Sequence, residues 1–217
     1  MAHVNGKMAD LTPPTKFPEN APAKRNIPYD CAFTETFNVL VGRDSNQQLF
    51  TVHHDIITNR SDFFEKARSP RWNPKKSVPV KLPHADPQIF DMYLHCVYHN
   101  VAPKFIGEYE EGDEDLSYDP RAEQRYKVFV DLYILADSLL DCTTTELVIK
   151  EIHEIRESES LPEAGVIKHA YRHTMAGCAL RDALVEIYAD AYSLPDGDFP
   201  NAFLRSVVEK QMCLRYG

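Results

Sequence analysis

Nine histidines are the side chains in this 217-residue chain best suited to chemistry, and four of them fall into pairs. His95 and His99 stand four residues apart, as do His169 and His173. On a helix that spacing puts both imidazoles on one face, a turn apart, where they can grip one ion. A zinc hydrolase built on such a pair reads H-E-x-x-H, with the glutamate as general base. Here Cys96 follows His95 and Ala170 follows His169, and no third ligand stands at a matching spacing. Ordinary surface or interhelical histidine is the plainer reading. A metal-dependent hydrolase using His95, His99, His169 or His173 is the rival from another class. His53 closes a strand-like run, where a neutral imidazole can donate and accept and so tie the strand end to a neighbouring backbone group. A catalytic base would need a nucleophile and an orienting acid, which the sequence does not display.

Other chemistries lack their motifs. With eight glycines, the chain carries neither G-x-x-x-x-G-K-[ST], nor G-x-G-x-x-G, nor a G-x-S-x-G elbow, so no cofactor is expected. The acidic stretch Glu108–Asp119 does not space its carboxylates around a central glycine as a calcium loop does, and it reads as a solvated insert. A net charge of −9 argues against direct nucleic-acid binding, which rests on Lys and Arg neutralising phosphates. Cys31, Cys96, Cys142, Cys178 and Cys213 are odd in number and scattered, the usage of a reducing compartment. The first residues form no apolar run of signal-peptide type, and no window suits a membrane span. The expected location is therefore cytoplasm, nucleus or both, with no membrane partner.

These side chains must be placed by elements that the pattern makes visible. Residues 1–33 carry Pro13, Pro14, Pro18, Pro22 and Pro28 among polar neighbours, predicting a disordered tail; a short proline-rich ligand is the alternative. Phe37–Val41 alternates as a strand, Gly42–Asn46 supplies turn chemistry, and Leu49–His53 returns as its hairpin partner. Asp55 is expected to cap a short helix and Ser61 another bearing Phe63 and Phe64. Val78–Leu82 reads as a third strand with Val78, Val80 and Leu82 on one face; Pro79 places it at an edge or puts the Pro nitrogen on an unpaired side.

Asp86-Pro87 opens a helix whose stripe is Ile89, Phe90, Tyr93, Leu94, Val97 and Tyr98. Another helix spans Val128 to Leu140, and Thr143 with Glu146 forms a capping box for the next, through Val148, Ile152 and Ile155. Three further helical stretches follow. Pro162 opens the first, through Val166, Ile167, Ala170 and Tyr171; the second carries Leu180 to Ala191. After a turn at Pro195–Asp198, the third carries Phe203, Leu204, Val207 and Val208. No internal repeat is present.

The order of these segments resembles the BTB/POZ family. Phe37–Gly42 is similar to its opening strand and Phe50-Thr51-Val52-His53-His54-Asp55-Ile56-Ile57 to its F-x-V-H-x-x-(I/L)-(I/L) segment. Ser61-Asp62-Phe63-Phe64 is similar to its S-x-x-F. Val80-Lys81-Leu82, Asp86-Pro87-x-x-Phe90 and Tyr93-Leu94-x-x-x-Tyr98 resemble its third strand and next helix. Leu132-Tyr133-x-Leu135-Ala136-Asp137 resembles its L-Y-x-L-A-D helix. The likeness covers Thr36 to Glu157. Downstream, Ala170-Tyr171-x-x-Thr174 and Leu180-Arg181 look like the helical extension of fungal members.

The resemblance implies an α/β (α+β) fold: a helical cluster flanked by a short β-sheet, with a C-terminal helical extension. The domains expected are the tail at 1–33, the BTB/POZ domain at 34–157 with its acidic insert near 107–122, and the extension at 158–217. It implies a non-enzymatic module that forms homodimers and binds other proteins. A substrate adaptor for a cullin scaffold of a ubiquitin ligase is the alternative within that class. Two departures bear on this. Asn38 stands where many members have Asp before the strand valine. Trp72-Asn73-Pro74-Lys75-Lys76 lacks the glutamate of the hydrophobic-x-Glu element in members that recruit cullins. Phe37, Arg71, Trp72, Asn73 and Pro74 are the residues expected at a protein contact, with no catalytic, cofactor or metal residue. Trp72 in its basic surroundings reads either as an exposed anchor or as an indole packed on its own domain.

Overall fold

β-Branched and aromatic residues alternating along Thr36–Val41 (β1) direct Phe37, Val39 and Val41 inward, all buried. Gln48–His53 (β2) pairs with it antiparallel, setting Phe37 opposite Val52 and Leu40 opposite Leu49. The turn between them needs glycine: Gly42 has φ +86°, and a Cβ there would lie 2.5 Å from the Asn46 carbonyl oxygen. The computed structural model describes residues 35–69, 71, 78–104, 120–156, 161–189, 191 and 197–216, excluding the side chains of 120–122 and 216. The tail, the acidic stretch and the first half of the turn at Pro195–Asp198 lie outside that range.

Two short helices follow the hairpin, His54–Thr58 (α1) and Asp62–Arg68 (α2). Ser61 caps α2 by accepting the Phe64 N–H. Asp55 does not cap α1: His53 takes the cap position, and Asp55 sits inside the first turn with its carboxylate 2.8 Å from His54 Nδ1. The third strand is Val80–Leu82 (β3), parallel to β1 at the sheet edge, in the order β2-β1-β3. It begins after Pro79, so Val78, expected within it, is 47% exposed. Proline has no N–H to give the ladder, and the strand starts beyond it.

Asp86 caps Pro87–His99 (α3) through the Gln88 and Ile89 N–H groups, with Pro87 at the first position. Phe90, Tyr93, Cys96 and Val97 are buried, while Tyr98 turns outward at 38% exposure. The next helix, Pro120–Ser138 (α4), starts eight residues before Val128 and takes in the end of the expected insert. It touches α3, Cys142–Arg156 (α5) and Ala164–His173 (α6), which explains its wide buried surface: Tyr126, Phe129, Val130, Leu132, Tyr133 and Ala136. Ala179–Ala189 (α7) packs on α5, α6 and Asn201–Tyr216 (α8). Phe33–Gly217 is one compact unit, and its buried side chains form a continuous core from Phe37 to Val207. The architecture is α+β. Among the described residues no helix is long and apolar enough to cross a membrane.

Candidate functional site

The corner between α4 and α5 carries an unusual residue. Helix α4 ends with Leu140 N–H on the Asp137 carbonyl and Asp141 N–H on the Ala136 carbonyl, each 3.0 Å. That pattern is the Schellman ending, whose turning residue adopts the left-handed conformation and is usually glycine. Here it is Leu140, at φ +55°. A branched side chain in that region costs about 1–2 kcal/mol. The same leucine is 51% exposed. Glycine or asparagine would relieve the backbone, and a polar side chain would relieve the exposure. Leu140 does neither.

Its side chain forms one wall of an apolar cavity of about 280 Å³, completed by Phe63, Lys66 and Ala67 of α2. The volume lies just below the range of small-molecule pockets, and the lining offers almost no converging polar groups. Such a groove suits the apolar side chains of another polypeptide rather than a cofactor. Leu140, read from the sequence as the end of a helical stripe, lies past the helix. No local signal marks it, since α4 buries adjacent pairs such as Phe129-Val130 and Leu132-Tyr133 as well.

A buried polar joint fixes the two corners that make the groove. Asp141, fully buried, accepts the Thr144 N–H at 2.9 Å and the Thr144 hydroxyl at 2.8 Å. It thereby caps α5 two residues before the expected capping box of Thr143 and Glu146, because α5 starts at Cys142. From the α1–α2 corner, Arg60 brings Nε to 3.5 Å from Asp141 and donates to Thr144 Oγ1 at 3.1 Å and Asn100 Oδ1 at 3.0 Å. Ser61 donates from its hydroxyl to the Leu139 carbonyl at 2.6 Å while capping α2. Tyr93 is buried alongside; burial, then the Asp141 carboxylate, drives its phenol far above the ordinary range. Burial likewise pushes the Cys96 thiol up to about 12, which makes it an inert packing group.

Of the residues expected at a protein contact, the structure describes Phe37 and Arg71. Phe37 is 5% exposed, tilted against Phe64 and capped by the Arg68 guanidinium 4.6 Å from its ring centre. The alternation of β1 puts position 37 on the inner face with Val39 and Val41, so within this chain Phe37 is core. Arg71 is exposed, one helix end away from the groove. Trp72, Asn73 and Pro74 lie outside the described residues.

The histidines divide. His53 meets the Tyr98 hydroxyl through its backbone N–H and its ring Nδ1, each at 3.0 Å, which ties the strand end to α3. His169 Nε2 lies 2.7 Å from Asp131 Oδ1 and joins α6 to α4. His95 and His99 have ring centres 4.6 Å apart, as do His169 and His173. Among the described residues no three His, Cys, Asp or Glu side chains converge as a metal site. No protein-family model matches the chain, and no curated protein matches it.

Proposed function

We propose that the chain is a BTB/POZ-type interaction module that forms homodimers and docks other proteins, acting by stoichiometric binding rather than turnover, in cytoplasm or nucleus. The reading rests on the resemblance along Thr36 to Glu157. It is supported by the hairpin, the two short helices, the edge strand and the L-Y-x-L-A-D helix all contributing to one core. The observation that carries it is Leu140: a residue strained in backbone and exposed in side chain, at the rim of an apolar groove, is favourable only when something covers it. A second copy is the first occupant to test, since self-complementary surfaces most often close as twofold dimers.

Sedimentation equilibrium of the full chain is expected to show a dimer at micromolar concentration, and a strict monomer overturns the reading. Leu140→Asn separates folding from binding, because asparagine tolerates the left-handed conformation. The variant is expected to melt no lower than the parent. A shift toward monomer assigns the groove to the self-contact. An unchanged dimer that loses a co-purifying protein assigns it to a second polypeptide. The same open groove favours the adaptor as a second reading, for which co-purification with a cullin scaffold, lost in Leu140→Asn, is the expected result.

A further inference from the structure

Helix α3 carries His95 and His99 on one face at its C-terminal end, half-buried and exposed respectively. Neither ring forms a hydrogen bond or ion pair with another described residue; each meets only the other, at 4.6 Å between centres and a tilt of 40°. An ion bound about 2.0–2.1 Å from a ring nitrogen lies about 3.2 Å from that ring's centre, so two imidazoles at right angles around it have centres about 4.5 Å apart, against about 5.2 Å for a tetrahedral ion. The observed 4.6 Å, shared by His169 and His173, lets two rings a helical turn apart reach one ion. Imidazole is a fitting ligand for zinc, copper and nickel alike. His99 also lies in the last turn of a 13-residue helix, where the unpaired carbonyl ends favour a cation.

We propose that His95 and His99 form a bidentate site for a divalent transition-metal ion of the kind imidazole binds, whose remaining positions are filled by water. The second pair provides an internal comparison. His169 and His173 have the same spacing and the same 4.6 Å separation, but the Nε2 of His169 is engaged by Asp131 at 2.7 Å. An ion there must compete with an existing contact, and a cation at His95–His99 need not. The two pairs therefore rank, with α3 ahead of α6. Occupancy would tie together the final turn of α3, whose Tyr98 holds His53 at the strand end.

The test is an imidazole nitrogen NMR titration of the full chain with substoichiometric Ni(II), in parent, His99→Ala and His173→Ala chains. The expected result is that His95 and His99 signals broaden together and before those of His169 and His173. His99→Ala should abolish that early broadening and weaken calorimetric Ni(II) affinity by roughly tenfold or more, and His173→Ala should leave both unchanged. His99 is exposed, so circular dichroism of His99→Ala should equal the parent, and its His169 and His173 signals report a variant that failed to fold. Broadening that starts at His169–His173, that spreads evenly over all histidines, or that survives His99→Ala overturns the assignment.

Discussion

The region from the hairpin to α5 and the helices α6 to α8 share one core, yet they are held by different forces. In the first, two corners of the chain are fastened by buried polar contacts: Arg60 and Ser61 on one side, Leu139, Asp141 and Thr144 on the other. In the second, part-buried Arg181 donates to the Tyr171 and Thr174 carbonyls. The rest of the fastening described there is aromatic, as it also is around Phe64 and Phe90 in the first. Tyr188 stands edge-on to Phe199 and Phe203, Tyr171 meets Phe203, and the charged contacts lie outside, as between Lys168 and Asp198 or Lys210 and Glu186. Apolar packing is non-directional and tolerates small shifts, whereas a buried ion pair is stable only in one arrangement. The polar joint therefore sits where relative position matters, between the two walls of the groove. The aromatic cluster sits where bulk suffices.

Breaking each region should reveal that difference. The largest effect is expected from Asp141→Ala, which takes the buried carboxylate from part-buried Arg60 and uncaps α5 together. A loss of about 3–5 kcal/mol is expected in chemical denaturation. A loss below 1 kcal/mol would show that water already serves the joint. Next is Tyr188→Phe, which keeps the aromatic packing but removes the hydroxyl that donates to the Pro162 carbonyl. It should cost about 1–3 kcal/mol, the penalty of an unsatisfied buried acceptor. If it costs nothing, packing alone holds α7 to the start of α6. The smallest effect belongs to Lys168→Ala, which removes an exposed pair and should change stability by less than about 1 kcal/mol, with the residual vanishing in high salt. A larger effect would mean that the C-terminal helices also depend on specific charge placement.

Much of the fold was legible because local rules and global packing agree in most segments. The alternation of Phe37, Val39 and Val41 and the Ser61 and Asp86 caps read directly, as did an edge position for the third strand, though Pro79 lies just before it. Where reading failed, a competing partner had taken over. Thr143 and Glu146 offered a capping box, but Asp141, two residues upstream, had a carboxylate that could satisfy both the helix end and Arg60. Tyr98 fitted the apolar stripe of α3, yet its hydroxyl found His53, which held it at the surface. The candidate site was the least legible part. Leu140 looked like one more core leucine, and only the left-handed turn that ends α4 swings it outward.

The residue order alone determined which segments are strands and helices, which faces are apolar, and which chemistries lack their motifs, since these depend on dihedral preference, capping and period over a few neighbours. The tertiary structure decided which buried polar groups meet, that Phe37 is sealed beneath Arg68, that Leu140 and Phe63 share a groove, and that one histidine pair is engaged by a carboxylate while the other meets none among the described residues. Those outcomes depend on contacts between residues 31 to 84 positions apart in the chain, as between Phe37 and Arg68 or Arg60 and Thr144. Local periodicity carries no record of such meetings.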